Sequence, residues 1–197
     1  MQSDSSTTIG LRRQLLTCAI MCGVAVAIIL VFQQSPYWPT LLSGLRLPYQ
    51  VLIGFALGGL YWISATLSYK FAVGRNSARH MAESYRRLDL RGWNPLWIAL
   101  AAGFGEELLF RGALQPVIGI LATSLLFVLA HIRAYRFNGL SKRVLLQSVG
   151  LFAVSVVFGY IAKYVGLVTA IIIHTTMDVA GLYAIRRAPH VPATDGT

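Results

Sequence analysis

Carboxylates are the scarcest charged groups in this chain: seven Asp and Glu stand against 17 Lys and Arg in 197 residues, and charged residues of both signs reach only 12%. With 56% hydrophobic residues and a mean hydropathy of +0.63, the composition is that of a membrane protein and excludes an ordinary soluble domain. There are two cysteines, Cys18 and Cys22, four apart on one face of an apolar segment, which excludes a disulfide framework and leaves them as small packing residues. The zinc-protease pattern HExxH is missing, and no tandem repeat, low-complexity tract or second domain interrupts the chain. A single integral membrane domain over 1–197 is therefore expected.

What the sequence does contain is long, uninterrupted apolar runs. A soluble helix has one apolar stripe and a polar back, whereas "LLTCAIMCGVAVAIILVF" (15–32) is apolar all round and long enough to cross roughly 30 Å of hydrocarbon. Runs of this kind predict an all-α polytopic bundle of about six transmembrane helices, at 14–33, 49–72, 95–113, 117–132, 144–163 and 166–185. The first follows a polar start ending in Arg12 and Arg13, but its apolar run is too long for a cleaved signal peptide, so it reads as an uncleaved anchor.

The formal charge of +10 is a matter of topology. Arg12 and Arg13 precede helix one; Arg75, Arg79, Arg86, Arg87 and Arg91 separate helices two and three; Arg133, Arg136, Lys142 and Arg143 follow helix four; Arg186 and Arg187 follow helix six. The other connections hold little beyond Arg46 and Lys163, so the positive-inside rule puts both termini and every second loop in the cytoplasm. The pI of 10.1 follows from these basic loops, attraction to anionic lipid headgroups comes with it, and no nucleic acid is expected as a partner.

Asp4, Glu83, Asp89 and Asp195 lie in tails or loops, while Glu106, Glu107 and Asp178 fall inside predicted spans, together with His174 and, at the end of helix four, His131. An ionisable group within a membrane costs about 2.5 to 3.5 kcal/mol on insertion scales, so it faces protein or water and marks a functional site. Glu106 and Glu107 point about 100° apart on a helix and cannot share a partner on one face of it, whereas Glu107 and Arg111 are one turn apart and stack. A structural ion pair for Glu107 and direct catalysis both remain open. Glu106 has no such partner on its own helix and adjoins the small residues "AAG" and Gly105, which leave room for chemistry. His174 and Asp178 share a face, as do Phe127 and His131; His131 lies deep only if helix four continues through "IRAYRF".

Three patterns now line up in order: "EELLFR" (106–111) as EExxxR, "FVLAH" (127–131) as FxxxH, and "HTTMD" (174–178) as HxxxD. On successive helices of 95–185 this set resembles the CPBP (CAAX protease and bacteriocin-processing, Abi/Rce1-like) intramembrane glutamic protease family. The resemblance implies a peptidase without a required cofactor, in which Glu106 and His131 activate a water while His174 and Asp178 support the oxyanion, with Glu107, Arg111 and Phe127 in supporting places. A desolvated carboxylate suits the first role and an imidazole donor the second. The family commonly has Asn where this chain has Asp178; an ionised Asp cannot donate, so Asp178 orients His174 or is itself protonated. The implied substrate is a peptide or protein with a membrane-associated segment, prenylated, bacteriocin-like or C-terminal, and the implied setting is lipid, in a bacterial inner membrane.

The same side chains admit other readings. Glu106, His131, His174 and Asp178 form a conceivable Zn ligand set, and a zinc-bound water is an equally good nucleophile. A non-catalytic scaffold or immunity protein, or a proton-coupled transporter, would also bury acids and imidazoles, although no inverted repeat or pair of broken segments points to transport. Gly54, Gly58 and Gly59 read as a close-packing face on helix two, below Tyr61 and Trp62; Tyr37 with Trp38 and Trp93 with Trp97 read as interfacial anchors. Thr175 and Thr176 lack a base at helical spacing and read as bonding back to their own helix. Reporter fusions check the topology: those after residue 80, after residue 140 and at the C-terminus are expected to report cytoplasm and one after residue 42 the opposite side. A cytoplasmic signal at 42 would overturn the order of the helices.

Overall fold

The computed structural model describes residues 9–33, 41–70, 88–132 and 141–187. Tyr37 and Trp38, the loop residues Arg75, Arg79, Arg86 and Arg87, and the continuation of helix four through 133–137 lie outside the described residues. Among the described residues the chain is helical, with α1 Leu11–Phe32, α2 Leu47–Lys70, α3 Asn94–Glu107, α4 Gln115–His131, α5 Lys142–Tyr164 and α6 Leu167–Arg187. Between α3 and α4, Leu108–Leu114 forms a π-helical segment. Starts follow local chemistry: Pro95 sits in the first turn of α3, where its missing N–H costs nothing, and the Ser141 hydroxyl accepts from the Val144 amide to cap α5.

Among the described residues five runs are long and apolar enough to cross a membrane, where about six were expected. The difference lies in the third, Asn94–His131, which contains expected helices three and four as one 38-residue run. In one straight helix Glu106 and His131 would be about 38 Å apart, yet their side chains approach to 3.4 Å, and the Phe110 and Phe127 rings meet at 5.0 Å. The chain therefore doubles back, and the reversal is at Gly119, whose φ of 80° and ψ of 170° break the helix. The expected break between 113 and 117 is thus displaced, because helical geometry runs on through the π segment and only the glycine adopts the reversing conformation. Measured from this tip, His131 lies about 18 Å into the bundle. It is mid-depth, not near the end of a span as its place in the sequence suggests.

The remaining helices pack in the directions that successive crossings require. α1 runs parallel to α3, with Cys18 and Met21 against Gly105 and with Ala25 and Ile29 in one cluster with Ala113. α2 runs parallel to α6: a methyl group at Gly54 would press on Ile172, and one at Gly58 on Thr176, each at 2.9 Å. Gly54 and Gly58 thus bring two backbones together, as their spacing suggests, whereas Gly59, expected on the same face, has open space beside it because it is turned about 100° from Gly58. α6 runs antiparallel to α3, where Gly103 leaves no room beside Thr175 and Ile98 and Ala99 cluster with Val179 and Leu182. Most large side chains of α1 and α2 stay exposed, Val31 at 72% and Leu52 at 66%, as expected of helices that face lipid.

One buried amide ties the α1–α2 connection to α6. Gln50, 1% exposed, donates through Nε2 to Leu45 O at 2.8 Å and accepts through Oε1 from the Val168 amide at 3.2 Å, while the Thr169 hydroxyl donates to its carbonyl. Gly166, at φ 139°, lies directly against the Gln50 amide, which a side chain would overlap. Gly166→Ala is expected to lower stability by about 1 to 3 kcal/mol through backbone strain and lost space, and Gly150→Ala, in an open position of α5, to be neutral or stabilising. Melting curves in detergent check this; equal melting temperatures for the two variants would remove Gly166 from the account.

Candidate active site

The membrane level of the acidic residues follows from helix rise. Glu106 lies about 18 Å from Asn94, and His174 about 10 Å from Leu167 at the opposite end, which together match the roughly 30 Å thickness of the hydrocarbon. α3, α4 and α6 thereby bring Glu106, Glu107, His131, His174 and Asp178 to one depth.

His131 is held by its own helix. Its Nδ1 is 2.8 Å from the Phe127 carbonyl, which can only accept, so Nδ1 carries the hydrogen and Nε2 faces Glu106 Oε2 at 3.4 Å. The Phe127 ring stacks on the imidazole, with centroids 4.2 Å apart, so one residue a turn away sets both tautomer and ring plane. Glu106 Oε2 also lies 3.9 Å from His174 Nε2. It is buried without a hydrogen bond and flanked by two imidazole nitrogens from different helices.

Glu107 is fully buried and works in two directions. Its Oε2 pairs with Arg111 Nε at 3.3 Å, and its Oε1 accepts from His174 Nδ1 at 2.7 Å. The two glutamates were expected to have no common partner, and on their own helix they have none. They share His174 because that ring enters from α6 and presents its two nitrogens to neighbouring faces of α3. The carboxylate that orients His174 through Nδ1 is thus Glu107. Asp178 lies 3.7 Å from Nε2, on the same side as Glu106, and at 32% is the most exposed acid of the group. Its place one turn along α6 brings it to the outer nitrogen only.

Arg111 is enclosed by more than its carboxylate. Nη2 donates to the Ser155 hydroxyl at 3.0 Å and approaches the Ser155 carbonyl at 3.3 Å, and the guanidinium lies 4.7 Å from the Phe127 ring and 5.8 Å from that of Phe158. Phe158 also meets His174 edge-on, at 5.7 Å. Sequence reasoning missed Ser155 and Phe158. A signal was present, since Ser155 is the one small polar residue in "LFAVSVVFGY", within one turn of Phe158 and Gly159. Among the described residues, no group of three or more His, Cys, Asp and Glu is arranged to hold a metal ion.

This is a polytopic helical membrane protein whose motif helices enclose a cluster of three carboxylates and two imidazoles. Residues 90–180, just under half of the chain, match the family described as Rce1-like, type II CAAX prenyl endopeptidase Rce1-like. Neither the curated proteins nor the solved structures contain a match. The contacts of Glu107 carry their own test. Glu107→Gln would leave Arg111 buried without its counter-charge, at a cost of about 3 to 5 kcal/mol, and adding Arg111→Gln is expected to recover part of it. Thermal melting of the two variants and the parent decides; an unchanged melting temperature for Glu107→Gln would show that the pair does not support the fold.

Proposed function

We propose that the chain, as one integral membrane domain over 1–197 with catalytic helices at 95–185, is an endopeptidase that hydrolyses a peptide bond near a membrane-anchored or C-terminal substrate segment. The observation that carries this reading is the Glu106 carboxylate, buried between His131 and His174 at 3.4 and 3.9 Å. Glu106 takes a proton from water, whose oxygen attacks the peptide carbonyl carbon. His131, with Nδ1–H held by Phe127 O, uses Nε2 to position that water and to pass the proton to the leaving amine. His174, fixed through Nδ1 by Glu107, donates from a protonated Nε2 to the oxyanion.

Asp178 faces the same nitrogen and holds that proton in place between turnovers. Collapse of the tetrahedral intermediate breaks the C–N bond and releases a carboxylate and an amine. Nothing in this sequence of steps calls for a cofactor. The substrate class is a lipid-associated peptide or protein, and a bacterial inner membrane suits the compact chain and its basic loops.

Glu106→Gln keeps the shape but removes the basic oxygen, so cleavage of a membrane-anchored peptide is expected to fall by at least about 10²-fold while the melting temperature stays near that of the parent. Exhaustive chelation is expected to leave activity intact. Normal cleavage by Glu106→Gln would overturn the mechanism, and one tightly bound zinc per chain, whose removal abolishes cleavage, would transfer water activation to a metal held by the same side chains.

A further inference from the structure

At the end of the bundle that carries the Gly119 reversal, opposite the Asn94 and Arg186 end, lies a cavity of about 540 Å³ that the proposed chemistry does not use. Its polar lining comes from Ser43, Arg111, Gln115, Tyr160, Lys163 and Tyr164. Two of these are cations and none is an acid. Within that lining Arg111 is enclosed, with Nε taken by Glu107, Nη2 by Ser155 and Nη1 buried on a side chain only 2% exposed, so it acts on the cavity through its charge. By helix rise Arg111 lies about 25 Å from Asn94, a few ångströms inside the far edge of the hydrocarbon.

The rim has the chemistry of a headgroup layer. Lys163 is exposed, its ammonium 5.2 Å from the Tyr164 ring, and Tyr160 and Tyr164 stack in parallel, 50% and 62% exposed, on the last turns of α5. Tyrosine and lysine at the end of a span sit where phosphates are densest. We infer that this cavity binds a phosphate group, met by Lys163 at the rim with Arg111 as a second positive charge in the lining, and that an anionic phospholipid of the leaflet at that end supplies it. Its charge would lie near the same guanidinium that holds Glu107, two side chains from His174. The inference concerns binding and does not depend on peptide hydrolysis.

The test is ligand-dependent melting of the full chain in detergent, with phosphatidylglycerol, phosphatidylcholine or inorganic phosphate added. Phosphatidylglycerol is expected to raise the melting temperature by several degrees and phosphatidylcholine to have little effect. Lys163→Gln should remove most of the shift, and Lys142→Gln, at the other end of α5, should leave it intact. An equal shift with inorganic phosphate would keep the site and assign it to free phosphate. No shift with either phosphate source, or the same shift in the parent, Lys163→Gln and Lys163→Gln with Gln115→Leu, would overturn the inference.

Discussion

The fold depends on one buried chain of charge, from Arg111 through Glu107 to His174. Each member would be costly alone in a membrane, by about 2.5 to 3.5 kcal/mol for an acid or a guanidinium. Together they offset that cost, because the carboxylate uses one oxygen for the guanidinium and the other for the imidazole. The chain also fixes geometry: Glu107 and Arg111 belong to the α3 run, Ser155 to α5 and His174 to α6, so one guanidinium and one carboxylate set the spacing of three helices. With Glu107 committed to this network, its neighbour Glu106 is left facing the imidazoles without a structural duty.

A second constraint is the reversal at Gly119. Because the chain turns at Gly119, α4 descends beside the segment it has just left, setting Phe127 edge-on to Phe110 and bringing His131 to Glu106. The separation of FxxxH from EExxxR along the chain is thus the length of a helical hairpin folded about one glycine. Phe127 then meets three needs at once: its carbonyl sets the His131 tautomer, its ring stacks on that imidazole, and its face receives Arg111. A leucine would retain the carbonyl but lose both aromatic contacts.

Close backbone approach does for the rest of the bundle what a hydrophobic core does in water. Lipid is as apolar as leucine, so burying large side chains gains little there, and helices associate by shape. Gly54 and Gly58 on α2, and Gly103 and Gly105 on α3, therefore sit where α6 and α1 press closest, while large apolar side chains remain outside. Gly119 and Gly166 have another role, allowing backbone angles that close the hairpin and join α5 to α6.

How much of this was legible beforehand divides by the range of the interactions. Apolar runs and the spacing of three motifs were enough to read the helices, their number to within one run, the resemblance to the matched family and the side chains that meet, because span length and i,i+4 stacking are local properties of a chain in lipid. The same local rule was enough to pair Glu107 with Arg111. Contacts between helices were not legible: that Glu107 rather than Asp178 holds His174 Nδ1, that Ser155 and Phe158 enclose Arg111, and that the chain reverses at Gly119 instead of between 113 and 117. Helical periodicity states which residues share a face, but which nitrogen of a ring meets which carboxylate depends on the rotation and depth of one helix against another, and those are decided only when the whole bundle packs.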